Sequence, residues 1–165
     1  MSDPNLDGIP PQVLTPLADL FDCLCTEVNL VHPVCSCALL PGQAVAWDYC
    51  GECGDKCGQA WLRLMRVYPY DVWPDPATGG KCTSPLAMEV EIGVVRCIPA
   101  LGEGGELPDI ADIELSTMLQ IADMWAMYRA IVCCKSSFKS PQTYEAVGPL
   151  GGCVGGTWRA ILAVE

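Results

Sequence analysis

Basic residues are scarce in this chain, and none precedes Lys56. Nine Lys and Arg stand against 20 Asp and Glu over 165 residues, a net charge of -11. A protein that grips phosphate through its own surface needs the opposite balance, which excludes ordinary nucleic-acid binding. Histidine is reduced to His32, and no Cys or Ser nucleophile stands in a recognisable setting beside it, so no catalytic triad is defined. No uninterrupted apolar run approaches the ~20 residues that cross a bilayer. The opening MSDPNLDGIPP has neither the basic nor the apolar region of a signal peptide, which predicts synthesis and retention in a cytosol without membrane contact. Charged residues make up only 18 % and apolar residues 51 %, a composition that excludes intrinsic disorder and predicts a folded chain. Neither an internal repeat nor a second domain is visible, so residues 1–165 read as one domain.

The order of elements follows from punctuation and periodicity. Pro4, Gly8, Pro10 and Pro11 among acidic residues predict an extended acidic arm over 1–14. Thr15 and Pro16 are a capping hydroxyl and a first-turn proline, and Leu17, Leu20, Phe21, Leu24 and Val28 fall on one helical stripe behind them. Val31 to Gln59, broken by Pro33, Pro41 and several glycines, reads as loop. Ala60 to Val67 reads as a strand. Tyr68 to Pro85 holds four prolines and no period, a long loop at 68–86 of the kind that serves function. From Ala87 to Ile98, Met88, Val90, Ile92 and Val94 alternate with Glu89 and Glu91, which predicts a strand with one buried and one wet face. Asp109 caps a helix running to about Lys135. Its apolar positions Met118, Ile121, Ala122, Trp125, Tyr128 and Val132, broadened by Leu115, Leu119, Met124, Met127 and Ile131, predict burial on more than one side. Tyr144 to Val147 and Thr157 to Val164 read as a terminal hairpin with the intervening glycines in its turn. The expected fold is α+β: a mainly antiparallel four-stranded sheet with two helices packed on one face, a Cys-rich loop region and the N-terminal arm.

Twelve cysteines are the conspicuous excess. Cys50, Cys53 and Cys57 in CGECGDKCG resemble a zinc knuckle, with Cys82, His32, Cys35 or Cys37 as candidates for a fourth ligand, but no second knuckle completes the spacing. In a reducing cytosol the expectation is buried thiols acting as small apolar groups, then zinc, then disulfides. Cys133 and Cys134 point about 100° apart on a helix, which suits core packing rather than one metal. Glu89 and Glu91 share a strand face and read as solvated rather than catalytic, and GPLGGCVGG lacks the Lys-Ser/Thr of a phosphate loop. No catalytic, cofactor-binding or metal-binding residue is assigned, and no enzyme is expected. Tyr68, Tyr70 and Trp73 are rigid aromatic anchors suited to a subunit interface. Arg63, Arg66, Arg96, Arg129 and Arg159 are expected to bridge carboxylates between subunits.

The segments CGECGDKCGQAWLRLMRVYP, CTSPLAMEVEIGVVRCIP, ADMWAMYRAIVCC and GPLGGCVGGTW together resemble the head-to-tail connector proteins of long-tailed phages of actinobacteria, and among these the tail terminators. The resemblance spans about Gly51 to Val164; residues 1–40 match nothing in it. It implies a lambda-like tail terminator fold and a virion protein, made in the host cytoplasm, that closes into a hexameric ring. Such a ring caps the tail tube, meets the head-completion stopper protein and lets DNA pass without tight binding. Another connector component, a stopper or adaptor, and a zinc-binding interaction module are the alternatives.

Overall fold

The computed structural model describes residues 9–42, 45, 50, 52–53, 56–79, 82, 84–99, 104–134 and 139–164. Helix α1 (Pro11–Val31) and strand β1 (Ser36–Leu39) are followed by a two-strand ribbon, β2 (Glu52–Cys53) and β3 (Lys56–Cys57). Then come β4 (Gln59–Val72), β5 (Asp75–Pro76), β6 (Leu86–Cys97), α2 (Ile110–Cys133), β7 (Lys139–Leu150) and β8 (Cys153–Val164). The main sheet runs β1-β4-β6-β8-β7, with β5 added to β4. The class is the expected α+β, but the sheet has six strands and is mixed, because β1 pairs parallel to β4 inside the stretch read as loop.

Strand β6 is central because it can bury both neighbours' edges: it pairs antiparallel with β4 from Gln59↔Val95 to Pro69↔Leu86, and with β8 from Leu86↔Val164 to Cys97↔Cys153. Its Met88, Val90, Ile92 and Val94 face the helices as the alternation requires. They pack with Leu20, Leu24 and Val28 of α1, Met127 and Ile131 of α2, and Ala160 and Leu162 of β8. The opposite face is not simply wet. Trp61, Val95 and Cys153 form a second core with Val45 and Cys50 from the Cys-rich region. Glu91 is 4 % exposed, because Arg63 across the register neutralises it at 2.8 Å. This corrects the solvated assignment of Glu91; Glu89 stays half-buried and pairs with Arg66.

Three boundaries differ from expectation for identifiable reasons. Helix α1 starts five residues early: Pro11, not Pro16, takes the first-turn position, and Pro16 lies buried inside the helix. The expected arm therefore loses residues 11–14 to α1, while 1–8 lie outside the described residues. The long loop at 68–86 is largely sheet, since β4 continues to Val72 and Tyr68↔Ala87 and Pro69↔Leu86 remain in register. Prolines are tolerated there because the ribbon has a free edge. Finally, only Gly151 and Gly152 form the β7/β8 turn, both with positive φ. Gly155 and Gly156 lie within β8, where a Cβ would strike the Val95 backbone at 2.8 Å or the Tyr144 ring at 2.6 Å.

Candidate functional site

The second half of α2 is packed on the sheet, whereas its first half is tied to β8 through Gln120, which donates to the Gly155 carbonyl. Asp109 caps the helix, accepting from the Ala111 amide at 3.1 Å, and Asp112 lies in the positively polarised first turn. Ala126, Met127, Ala130 and Ile131 are buried against the sheet and α1. The stripe expected to be buried on a further side is instead in solvent: Met118 is 63 %, Ile121 50 % and Trp125 56 % exposed, and Ile110, Ile113, Leu115 and Val132 are exposed as well. The periodicity identifies the apolar face correctly, but nothing in the described part of the chain covers it. Monomeric proteins rarely leave so continuous an apolar patch in water.

Trp125 is held in place by a row of rings. It stacks on Tyr128 at 5.4 Å, Tyr128 meets Trp158 at 5.7 Å, and Trp158 meets Tyr144 at 5.7 Å. The Trp158 indole N–H donates to the Met124 carbonyl at 3.0 Å, which fixes β8 to α2. Burial raises the Tyr144 phenol above its ordinary pKa, with the Gln120 hydrogen bond opposing. Trp125, at least, is therefore preorganised, since little of its side-chain entropy remains to be lost on docking.

A buried clamp sets the tilt of α2. Arg96, from the end of β6, donates from Nε and Nη2 to the two Asp123 carboxylate oxygens at 2.6 and 2.7 Å, and from Nη2 to the His32 carbonyl at 2.8 Å. One guanidinium thus joins the sheet, the end of α1 and the middle of α2. Burial pushes the Asp123 carboxyl above the usual carboxylate range, and Arg96 holds it back. Beside the clamp a cleft of about 320 Å³ runs between Ile98, Pro99 and Val154 on one side and Leu115, Ser116 and Leu119 of α2 on the other.

The aromatic anchors lie elsewhere. Tyr68 and Tyr70 are on β4 and Trp73 is in the β4/β5 turn. Tyr70 and Trp73 meet edge to face at 5.5 Å, and the Tyr68 hydroxyl donates to the Pro74 carbonyl at 3.0 Å beneath the Arg66 guanidinium. All three rings are half-buried, and burial raises the Tyr68 phenol. This tip adjoins the Leu86 end of β6, whereas the cleft adjoins its Cys97 end. Twelve residues of strand separate them by roughly 40 Å. The arginines divide in the same way. Arg63 and Arg96 are buried in ion pairs within the chain, so their guanidinium groups serve the fold. Arg66 and Arg159 are exposed.

The cysteines depart most from expectation. Five disulfides join Cys23–Cys134, Cys25–Cys37, Cys35–Cys53, Cys50–Cys153 and Cys57–Cys97, while Cys82 and Cys133 are free and exposed. Pairing of this kind depends on which residues the tertiary packing brings within ~6 Å, information that linear spacing does not carry. The knuckle is split accordingly: Cys53 goes to Cys35, and Cys50 and Cys57 to the ends of β8 and β6. Cys133 and Cys134 do point apart, but the core packing expected of them is not what is found: Cys134 is bonded to Cys23 of α1 and Cys133 is in solvent.

No protein-family model and no curated protein matches the chain. No helix among the described residues is long and apolar enough to cross a membrane.

Proposed function

We propose that this chain is a structural virion protein, a tail terminator that assembles into a hexameric ring, caps the tail tube and meets the head-completion stopper protein. The observation that carries the reading is the uncovered apolar face of α2, from Ile110 to Val132, with Trp125 on it fixed by its ring row. A closed ring with head-to-tail contacts needs two different patches on each protomer. The α2 face and the Tyr68/Tyr70/Trp73 tip, carried on different elements, supply two. The segments that carry the phage resemblance fall on β4 up to Pro69, on β6, on the second half of α2 and on the β7/β8 turn with the start of β8, so the likeness concerns the scaffold beside both patches. A net charge of -11 per copy suits a lumen through which DNA slides, because acidic walls repel phosphate.

The test is native mass, measured alone and with tail tubes, for the wild-type chain and for Ile121→Asp/Trp125→Asp. Wild type is expected at ring mass and bound to tube ends. The double variant is expected as a folded monomer that leaves tubes uncapped, and neither protein should be retained on duplex DNA at about 150 mM salt. A wild-type chain that stays monomeric with tubes present, or a double variant that still forms rings, overturns the reading.

A further inference from the structure

Two of the five disulfides abut. Cys50–Cys153 and Cys57–Cys97 meet where the Cys-rich region closes over the ends of β6 and β8, and the Sγ atoms of Cys50, Cys57 and Cys97 all lie within 4.8 Å of one another. Cys153 joins the group through its bond to Cys50 and through the register, which sets Cys153 opposite Cys97. In a tetrahedral thiolate site with zinc-sulfur bonds of about 2.3 Å the sulfurs stand roughly 3.8 Å apart; three of the four already lie within 4.8 Å of one another, and the Cys153 sulfur, outside those three, must turn in once its bond to Cys50 is reduced. The surroundings match as well. Cys153 is 1 % and Cys50 7 % exposed, with Trp61, Val95 and Val45 packed around them. The Cys97 amide donates to the Cys57 sulfur at 3.1 Å, a contact that favours the thiolate over the thiol. The remaining pairs, Cys23–Cys134, Cys25–Cys37 and Cys35–Cys53, offer no comparable group among the described residues.

We infer that in the thiol state Cys50, Cys57, Cys97 and Cys153 bind one zinc ion as a structural tetrathiolate site. The ion replaces four thiol protons, so affinity rises with pH as those protons leave more readily. It ties the Cys-rich region to the strand ends in the reduced chain, as the two disulfides do in the oxidised one. The ligand set differs from the knuckle visible in the sequence, because Cys53 is drawn away to Cys35. The site is independent of the proposed ring function.

The test uses the full chain, produced and purified under a phosphine reductant without chelator. Zinc is counted against reactive thiols, and cobalt(II) is then exchanged into the site. About one zinc per chain is expected, with the visible and charge-transfer bands of tetrahedral tetrathiolate cobalt. Cys57→Ser and Cys97→Ser should reduce bound zinc at least tenfold, while Cys35→Ser and Cys53→Ser should leave it in place. The wild-type cobalt spectrum decides the matter should a ligand variant misfold. A fully reduced, folded chain that takes up no zinc overturns the inference. So does a cobalt spectrum showing fewer than four sulfurs, zinc lost only on changing Cys35 or Cys53, or the two disulfides persisting in reductant.

Discussion

Replacing Asp123 by Ala tests whether the Arg96 clamp positions α2. The carboxylate accepts two hydrogen bonds, at 2.6 and 2.7 Å, from a guanidinium whose side chain is 8 % exposed. Charge-assisted hydrogen bonds contribute about 1.5–3 kcal/mol each. Deleting one partner of a buried pair strands the other charge, at a cost of about 3–5 kcal/mol. Asp123→Ala should therefore lower unfolding free energy in urea by about 3–5 kcal/mol, with the denaturant slope unchanged. Arg96→Met should cost less, because the two groups left behind differ. A guanidinium cannot deprotonate, whereas the Asp123 carboxyl is already pushed upward by burial and can become neutral. The sign follows from linkage. A carboxyl whose folded pKa is raised binds its proton more tightly when folded, so stability falls as pH rises from ~4 through the folded value. The Arg96→Met defect should accordingly be smallest in acid and grow toward neutrality. Replacing both residues with apolar ones should recover most of the loss. An Asp123→Ala penalty below ~1 kcal/mol, far under the range for a buried pair, would refute the clamp. So would a double variant as unstable as Asp123→Ala.

The surface pair offers a contrast: Arg66, whose side chain is 61 % exposed, should lose no more than ~0.5 kcal/mol on change to Ala. Gly93→Ala should cost about 1–3 kcal/mol, since the new methyl would meet the fully buried Trp61 indole at 2.7 Å or less; wild-type stability in that variant would mean the ring is not seated there. In a spectrophotometric titration Tyr68 and Tyr144 should ionise above the ordinary 10.0. A raised phenol pKa means that the unfolded chain ionises first, so stability falls above pH ~10, and Tyr144→Phe should flatten that fall. In the air-oxidised chain a maleimide should label Cys82 and Cys133 alone; labelling of any further cysteine would contradict the pairing.

Much of the fold was legible because period and burial agree wherever one face alone is covered. Strand β6 is the clear case: its alternation and its register on β4 and β8 are one fact seen twice. The errors share a cause in long-range partners. Glu91 looked wet because Arg63 lies 28 residues away, and β1 looked like loop because a parallel edge strand of four residues carries too few positions for a period to show. A reducing environment favours free thiols, whereas tertiary packing pairs cysteines up to 111 residues apart, as where α1 meets the end of α2. Gly155 and Gly156 looked like turn because glycine signals freedom and close approach alike, and only the neighbouring β6 backbone and Tyr144 ring separate the two.

Helix α2 shows how a correct pattern yields an incomplete inference. A wide apolar stripe states that burial is required, but not by whom. Within the chain, Ala126, Met127, Ala130 and Ile131 satisfy one side. On the other side Trp125 is exposed yet fixed by Tyr128, which is itself seated on Trp158. A ring that is rigid without being covered is costly for a lone protomer and useful to an assembling one. Loose exposed side chains would lose more entropy on docking. The same ring row should therefore separate folding from assembly: Trp125→Ala removes the outermost ring and should leave the unfolding midpoint within the range of ordinary surface changes, about ±0.5 kcal/mol, while weakening self-association by at least tenfold. A Trp125→Ala chain that loses several kcal/mol of stability but assembles normally would mean the stripe belongs to the fold after all, and the proposed ring would need another surface.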